Sequence, residues 1–523
     1  MEATPVEQTT PAAGARPLWI DMFNRIFSRH AMNIAVLMVL PMLLAPALNS
    51  ERTLLADPDI WWHLADARVL LTTHHFIRTE PFAFTVVGQH WINWEWLSEI
   101  PYWLGYRDLG LKGLYLVTWL AFCANILIVY WRGYWMTRHA GAAFWAAGIG
   151  FVLMTVNSGP RTIVIAYLAM SVELAIMEAS ERGNKRWLWL LPPLFAVWIN
   201  LHGSWVIGIG LLGLYILCGL FTIKLGVFEQ DALSSSDRNR LLAVLGASIA
   251  ALFLNPYGWE LIWSPFDMML NQTVNIGTVS EWKPLRLTTP EGKFVVLAIC
   301  LMVVANCIRG RKWKIFELAV VFFAWYAAFD HVRFSFLAAV VTIPLLAKDI
   351  ERSFCTESDT KTIPVMNALM VGAAAIVIVL MFPTENQLQK KLAATFPLET
   401  IASIQPAWRI FDWDTLGGMM MFQSKPHAID SRFEIFEHHG VLQDYLRIMY
   451  VNDALELLDK YRIDHVLVQE AMPLSYLLQH TPGWHLVRRE TTREGLDFVL
   501  YAKIPAMASA STTSPPTAVA ANQ

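Results

Sequence analysis

The chain has 523 residues, 55% of them hydrophobic and only 16% charged, with a mean hydropathy of +0.41. That is more apolar side chain than a soluble core of this length buries, which excludes a single soluble globular domain and predicts a polytopic membrane protein. A formal net charge of -3 carries no nucleic-acid signal, because a partner of that kind needs a basic excess gathered on one face.

Residues 1–31 open the chain as an expected cytoplasmic N-terminus, Thr/Pro/Ala-rich and unfolded through residue 18. The first apolar run follows Arg25 and Arg29 and reads as an uncleaved signal anchor. Counting runs long enough to cross about 30 Å of hydrocarbon gives about eleven spans. They lie near 32–48, 112–131, 142–158, 161–179, 187–200, 204–223, 240–255, 293–308, 314–329, 333–348 and 364–382. Pro192-Pro193 predicts a kink or tilt in the fifth.

Lys and Arg alternate between the connections. One set holds Arg132/Arg138, Arg182/Lys185/Arg186, Lys224/Arg238/Arg240, Arg309/Arg311/Lys312/Lys314 and Lys348/Arg352/Lys361. That set is predicted cytoplasmic, so the first outer loop (49–111) and everything after the last span face the exterior. The expected organisation is an all-α membrane domain over 32–382, then a small extracytoplasmic α/β domain over 383–504, then an unfolded tail over 505–523. In the α/β domain, Ala454 to Tyr461 reads as a helix and His465 to Gln469, Leu486 to Arg489 and Phe498 to Ala502 as strands, with at least one βαβ-like unit. Cys123, Cys218, Cys300 and Cys307 fall in spans and Cys355 in a short loop, so neither a disulfide framework nor metal spacing follows.

The densest chemistry is Asp57-Pro58-Asp59-Ile60-Trp61-Trp62-His63, just after the first span. Pro58 suits a first helical position, which makes Asp57 an N-cap and Asp59 an acid favoured by the helix dipole. Asp59, His63 and Asp66 recur at i, i+4 and i+7, so a helix from 58 to about 72 shows one polar face among Trp61, Trp62, Leu64, Val69 and Leu70. That pattern predicts a helix lying in the membrane interface. Its carboxylates could act as a general base or bind a divalent cation such as Mg or Mn. His63 could hydrogen-bond a phosphate or orient Asp59.

Six further polar segments fall on the same predicted outer face: Trp91 to Glu95, Asn157 to Arg161, Asn200 to Ser204, Asn255 to Trp259, Glu281-Trp282 and Asp330 to Arg333. Their convergence predicts one site, against the simpler view that interfacial loops are polar. Arg161 could pair with a lipid phosphate or snorkel to the interface. His202 lies in a tight turn between two spans. Asn255-Pro256-Tyr257-Gly258 is helix-stop chemistry. Glu281 has no capping pattern around it, and His331 with Arg333 could stabilise a phosphate leaving group. In the α/β domain, Phe411-Asp412-Trp413-Asp414 and Asp430-Ser431-Arg432-Phe433 read as surface turns or as sugar contacts. No Gly-rich dinucleotide fingerprint, Walker loop or zinc spacing is present, so no nucleotide cofactor is expected.

These features together resemble the GT-C superfamily of polyprenyl-phosphate-dependent glycosyltransferases, which includes protein O-mannosyltransferases, aminoarabinose transferases and the catalytic subunit of oligosaccharyltransferase. The likeness spans roughly residues 32 to 350. It is carried by the Asp57-to-Leu64 segment, by Gly88 to Leu97 with Trp94-Glu95-Trp96-Leu97, and by Trp198 to Trp205 with Asn200-Leu201-His202-Gly203. Asn255-Pro256-Tyr257-Gly258-Trp259 and Glu281-Trp282 complete it. The resemblance implies a transferase that moves a sugar from a polyprenyl-phosphate donor to a glycan, lipid or protein acceptor at the outer leaflet of a bacterial inner membrane. It selects Asp57 as base or metal ligand, with Asp59 as alternative or partner. Arg161, His331 and Arg333 would then hold the lipid phosphate, and Trp61, Trp62, His63, Glu95, His202, Glu281 and Trp282 would line the substrate pockets. The competing functions are a glycan polymerase or ligase acting on lipid diphosphates, a transporter or scramblase, and a non-catalytic scaffold.

Overall fold

The computed structural model of the chain describes residues 18–44, 57–154, 159–355 and 363–504. Residues 1–17 of the expected N-terminal tail, the 505–523 tail, Asn157 and Lys361 lie outside the described residues.

A helix occupies each expected span: Arg29–Leu44, Leu111–Thr137, Ala140–Met154, Thr162–Glu181, Leu191–Leu201, Trp205–Cys218, Ser235–Ala251, Pro290–Ile308, Ile315–Asp330, Ser335–Phe354 and Pro364–Met381. Backbone polar groups in hydrocarbon must be satisfied within their own segment, so these apolar runs have little alternative to helix. Among the described residues three helices are both long and apolar enough to cross a membrane: Leu111–Thr137, Thr162–Glu181 and Pro364–Met381. Arg29–Met42, Ala140–Met154, Trp205–Cys218 and Gly292–Ile308 are shorter apolar helices.

Two expected details differ. Pro192-Pro193 does not kink a continuous span; Lys185–Leu190 is a 3-10 turn, and the prolines sit in the first turn of a new helix, where their missing N–H groups cost nothing. The sixth span stops at Cys218, and the chain turns into an antiparallel hairpin of β1 (Ile223–Leu225) and β2 (Phe228–Gln230).

The fold divides into two compact units. The first takes the described residues of Met1–Leu54, Ile100–Pro265 and Val279–Glu385. Its helix Ala140–Met154 is built from small residues, with Ala142, Ala143, Ala146, Ala147 and Gly150 buried. A Cβ on Gly150 would strike the Ile343 side chain, so glycine lets the Ser335–Phe354 helix approach at that level. On the other side, Leu37, Ile126, Tyr130, Ala143, Ala147 and Phe151 close a shared core.

The second unit takes the described residues of Leu55–Glu99, Phe266–Thr278 and Asn386–Gln523. The acidic segment of the first outer loop is therefore built together with the C-terminal part of the chain. A four-stranded sheet runs in the order β3 (Ile410–Asp412), β4 (His465–Gln469), β6 (Asp497–Lys503), β5 (Trp484–Thr491). β3 and β4 are parallel, with Phe411 opposite Val466, and four short helices make the crossover. β6 pairs antiparallel with both β4 and β5.

The helix Asp59–Thr73 corrects the expectation of an interfacial helix. Residues Ile60 through Ala67 are all buried, on every face of the helix. The cause lies in Asp414–Phe422, whose Gly418 has no room for a Cβ against the Pro58 carbonyl, so two backbones meet there. Phe411-Asp412 and Asp430 to Phe433 are likewise not surface turns. Asp412 and Asp430 are 0% exposed and Arg432 is 1% exposed.

Candidate active site

The seven polar segments separate into two groups, one in each unit. In the second unit, Asp57 is buried and its Oδ1 accepts the Asp59 N–H at 3.1 Å, as a residue just ahead of a helix does. Asp59 is half-buried. Trp61 packs on Phe396 and Phe422, and Trp62 lies over His63 with ring centroids 3.6 Å apart. Neither buried indole N–H has a hydrogen-bond partner among the described residues.

His63 is held between two glutamates, with Nδ1 2.8 Å from Glu99 Oε1 and Nε2 3.5 Å from Glu95 Oε2. Asn93 donates to the other Glu99 oxygen at 2.7 Å. Burial, with the nearby Asp66 charge, pushes the Glu99 carboxyl well above the usual range. Asp66 is also pushed well above it, by burial first and then by Glu80, Asp430 and Glu434. Its two oxygens have no hydrogen-bond partner among the described residues. A neutral acid is the form such an environment favours.

Arg432 is the counter-charge of this cluster. It reaches Glu80 at 2.7 Å and Asp430 at 2.6 Å, and its guanidinium lies 4.6 Å from the Trp91 ring centroid. Burial alone would raise the Asp430 carboxyl, but Arg432 and the His427 hydrogen bond hold it below the usual range. Sequence reasoning missed Glu80 and Glu99. Glu99 had a signal: it stands in the first turn of the Trp96–Leu109 helix, four residues after Glu95, close enough in sequence for both to reach the same partner.

In the first unit, Arg161 precedes the Thr162–Glu181 helix and its guanidinium forms an ion pair with Glu281. The Tyr102 hydroxyl donates to the Arg161 carbonyl at 3.1 Å. Glu281 and Trp282 lie on a 3-10 turn, Ser280–Trp282. His331 Nδ1 is 2.6 Å from the Trp282 carbonyl, and the Arg333 guanidinium lies 4.2 Å from the Trp282 ring centroid. The Tyr167 hydroxyl donates to the Arg333 carbonyl at 3.3 Å. His202 lies in the turn after Leu191–Leu201, its Nδ1 accepting the Ser204 N–H at 3.0 Å. Burial, reinforced by the Arg333 charge, pushes His202 down to about 3, which keeps it neutral. Asn255 serves its own turn, donating to the Leu252 and Gly258 carbonyls and accepting from the Tyr257 N–H.

Arg161, Glu281, Trp282, His331 and Arg333 thus form one arginine-rich cluster at the starts of the Thr162–Glu181 and Ser335–Phe354 helices. Its fixed guanidinium groups can hold an anion, and the Trp282 face steadies one of them.

No protein-family model matches the chain, and no curated protein matches it in sequence. Solved structures do match its fold. The crystal structure of ArnT from Cupriavidus metallidurans in the apo state is similar over 92% of this chain and 97% of that chain, with a TM-score of 0.51 at 14% sequence identity. The chain therefore shares the mostly helical fold of that structure, with a small sheet toward its C-terminus.

Proposed function

We propose that the protein is an integral-membrane glycosyltransferase that moves a sugar from a polyprenyl-phosphate donor to a hydroxyl or amide on a glycan, lipid or protein. The observation that carries this reading is the end-to-end likeness to the ArnT fold, with 92% of this chain covered. The arginine cluster supports it, because a donor whose leaving group is a lipid phosphate requires fixed positive charge where that phosphate departs.

In this reading Asp57 or Asp59 takes the acceptor proton. The acceptor oxygen or nitrogen attacks the anomeric carbon, and the bond from that carbon to the phosphate oxygen breaks with its electron pair going to the phosphate. The anomeric centre inverts. Arg333, Arg161 and His331 receive the released lipid phosphate. A divalent cation on Asp57 and Asp59 would be the other use of these carboxylates. However, among the described residues no three His, Cys, Asp or Glu side chains are grouped to hold a metal.

Release of free polyprenyl phosphate from a panel of polyprenyl-phosphate sugars tests the assignment. Asp57→Asn and Asp59→Asn should abolish release while both proteins still insert in the membrane; full activity in both would overturn it. Chelation should leave the rate unchanged if the carboxylate is a base. The orientation we propose has an N-terminus in the cytoplasm and the C-terminal region outside. Single cysteines at Ser280 and His480, in a background with the native cysteines replaced, should then label from outside in intact cells. Labelling only after permeabilisation would reverse the topology.

A further inference from the structure

The Thr162–Glu181 and Ser335–Phe354 helices carry the arginine cluster at their starts and a second charged region at their other ends. Twenty residues of helix rise about 30 Å, the thickness of the hydrocarbon, so the two regions are separate. The second region surrounds a cavity of about 340 Å³, within the range of small-molecule sites.

The cavity is amphipathic. Its lining combines apolar side chains, among them Leu174, Val320, Val341 and Leu345, with charged ones.

The three carboxylates of the lining each have a cation. Arg132 meets Glu178 at 2.6 Å, Lys314 meets Glu181 at 2.6 Å, and Lys348 meets Glu317 at 2.7 Å. Arg132 is further fixed by the Val340 carbonyl at 2.6 Å. The fourth cation of the lining, Arg182, forms no ion pair among the described residues. The helix dipole favours a cation at that C-terminal position but does not require a cavity beside it. The lining therefore carries a single uncompensated positive charge together with apolar side chains.

We propose that this cavity is a binding site for a phospholipid with a singly charged phosphodiester headgroup. Arg182 takes the phosphate, with Lys314 beside it, and the glycerol backbone and first chain carbons enter between Leu174, Val341 and Leu345. The basic loops around the cavity are those predicted to face the cytoplasm, so the lipid comes from that leaflet. A free phosphate ester offers the same anion but has no use for the apolar side chains.

The test is lipid binding to the purified full-length protein, followed by native mass spectrometry and by thermal shift. The probes are phosphatidylglycerol, phosphatidylcholine, glycerol 3-phosphate and inorganic phosphate. We expect phosphatidylglycerol to be retained and to raise the melting temperature, and the two soluble phosphates to do neither. Arg182→Gln, at an exposed position, should weaken phosphatidylglycerol binding about tenfold, the scale of one charge-assisted hydrogen bond. Val341→Trp, which fills the apolar lining, should do so without removing charge. Equal stabilisation by glycerol 3-phosphate would overturn the lipid assignment. Unchanged phosphatidylglycerol binding in both folded variants would overturn the site. Both readouts are independent of sugar transfer, so the proposed activity can fail while this site stands.

Discussion

Glu80 and Arg432 are 352 residues apart in sequence and joined by a 2.7 Å ion pair in the fold, with neither side chain exposed. Glu80 uses its other oxygen to accept the Phe82 and Ala83 N–H groups at 2.6 and 2.8 Å. Arg432 uses its remaining nitrogens on Asp430. The pair therefore fixes the loop after the Asp59–Thr73 helix to the segment after β3. The positive charge of Arg432 also lowers the Asp66 carboxyl, against the rise that burial causes.

Removing that charge should be costly. Arg432→Met leaves Glu80 buried without a counter-ion and Asp430 with His427 alone, a loss of about 3–5 kcal/mol. Arg432→Lys should recover only part of it, because an ammonium cannot fork between two carboxylates as a guanidinium does. Melting temperatures of the detergent-purified proteins measure both, and a melting temperature equal to the wild type in Arg432→Met would show that the network does not hold the unit together.

The contrast between this pair and the membrane helices shows what the sequence makes readable. An apolar run of span length favours helix, so a helix stands at each of the eleven expected positions, three of them long and apolar enough to cross a membrane among the described residues. Short apolar runs likewise mark β4 and β6, which are buried along their middles rather than alternating, and Asp57-Pro58 marks a helix start one residue from where it occurs. The burial of Trp61 and Trp62 is not legible locally because it depends on Gly418, more than 350 positions away, where backbone contact replaces side-chain contact. Asp430-Ser431-Arg432-Phe433 has the composition of a turn, and only its partner Glu80 makes it core. Local periodicity reports which face of an element is apolar, not which distant charge will be buried against it.

Glu434 gives the second unit a pH dependence. Burial is the leading cause that pushes its carboxyl up to about 7, against an ordinary value of 4.5, and the Trp91 N–H donates to it at 3.2 Å. A raised carboxyl binds its proton more tightly in the folded state. Its contribution is therefore fully present below about pH 4.5 and is lost as pH rises through 7. Glu434→Gln retains an acceptor for Trp91 and cannot ionise, so it should gain stability relative to wild type across that window, on the order of 3 kcal/mol in full. Melting curves at pH 5 and pH 8 measure the gap; a gap that does not widen at pH 8 would rule out a buried neutral Glu434.

Arg333 should act on the donor rather than on the acceptor. Its guanidinium stacks on Trp282, whose carbonyl meets His331 Nδ1 at 2.6 Å. Arg333→Lys keeps the charge but loses the planar contact, and Trp282→Leu removes the face. Each should raise KM for a polyprenyl-phosphate sugar about 3- to 30-fold, the range of a cation–π contact. An effect confined to acceptor KM would remove Arg333 from the phosphate site.

The Arg161–Glu281 ion pair sets two readings of Glu281 against each other. Both side chains are about one-fifth exposed, at 22% and 23%, so the pair is accessible to a ligand and is worth on the order of 1 kcal/mol or less. If Arg161 receives the lipid phosphate, that phosphate must compete with the Glu281 carboxylate, which also repels it. Glu281→Gln then releases Arg161 and lowers the donor KM several-fold, with no loss of membrane insertion. If Glu281 instead binds a sugar hydroxyl, the same substitution weakens that contact and raises KM. Steady-state kinetics with one donor at saturating acceptor decide between them: a raised KM would move Glu281 from the role of a competitor held on Arg161 to that of a sugar ligand, and Arg161→Gln in the same assay should raise KM under the first reading and leave it unchanged under the second.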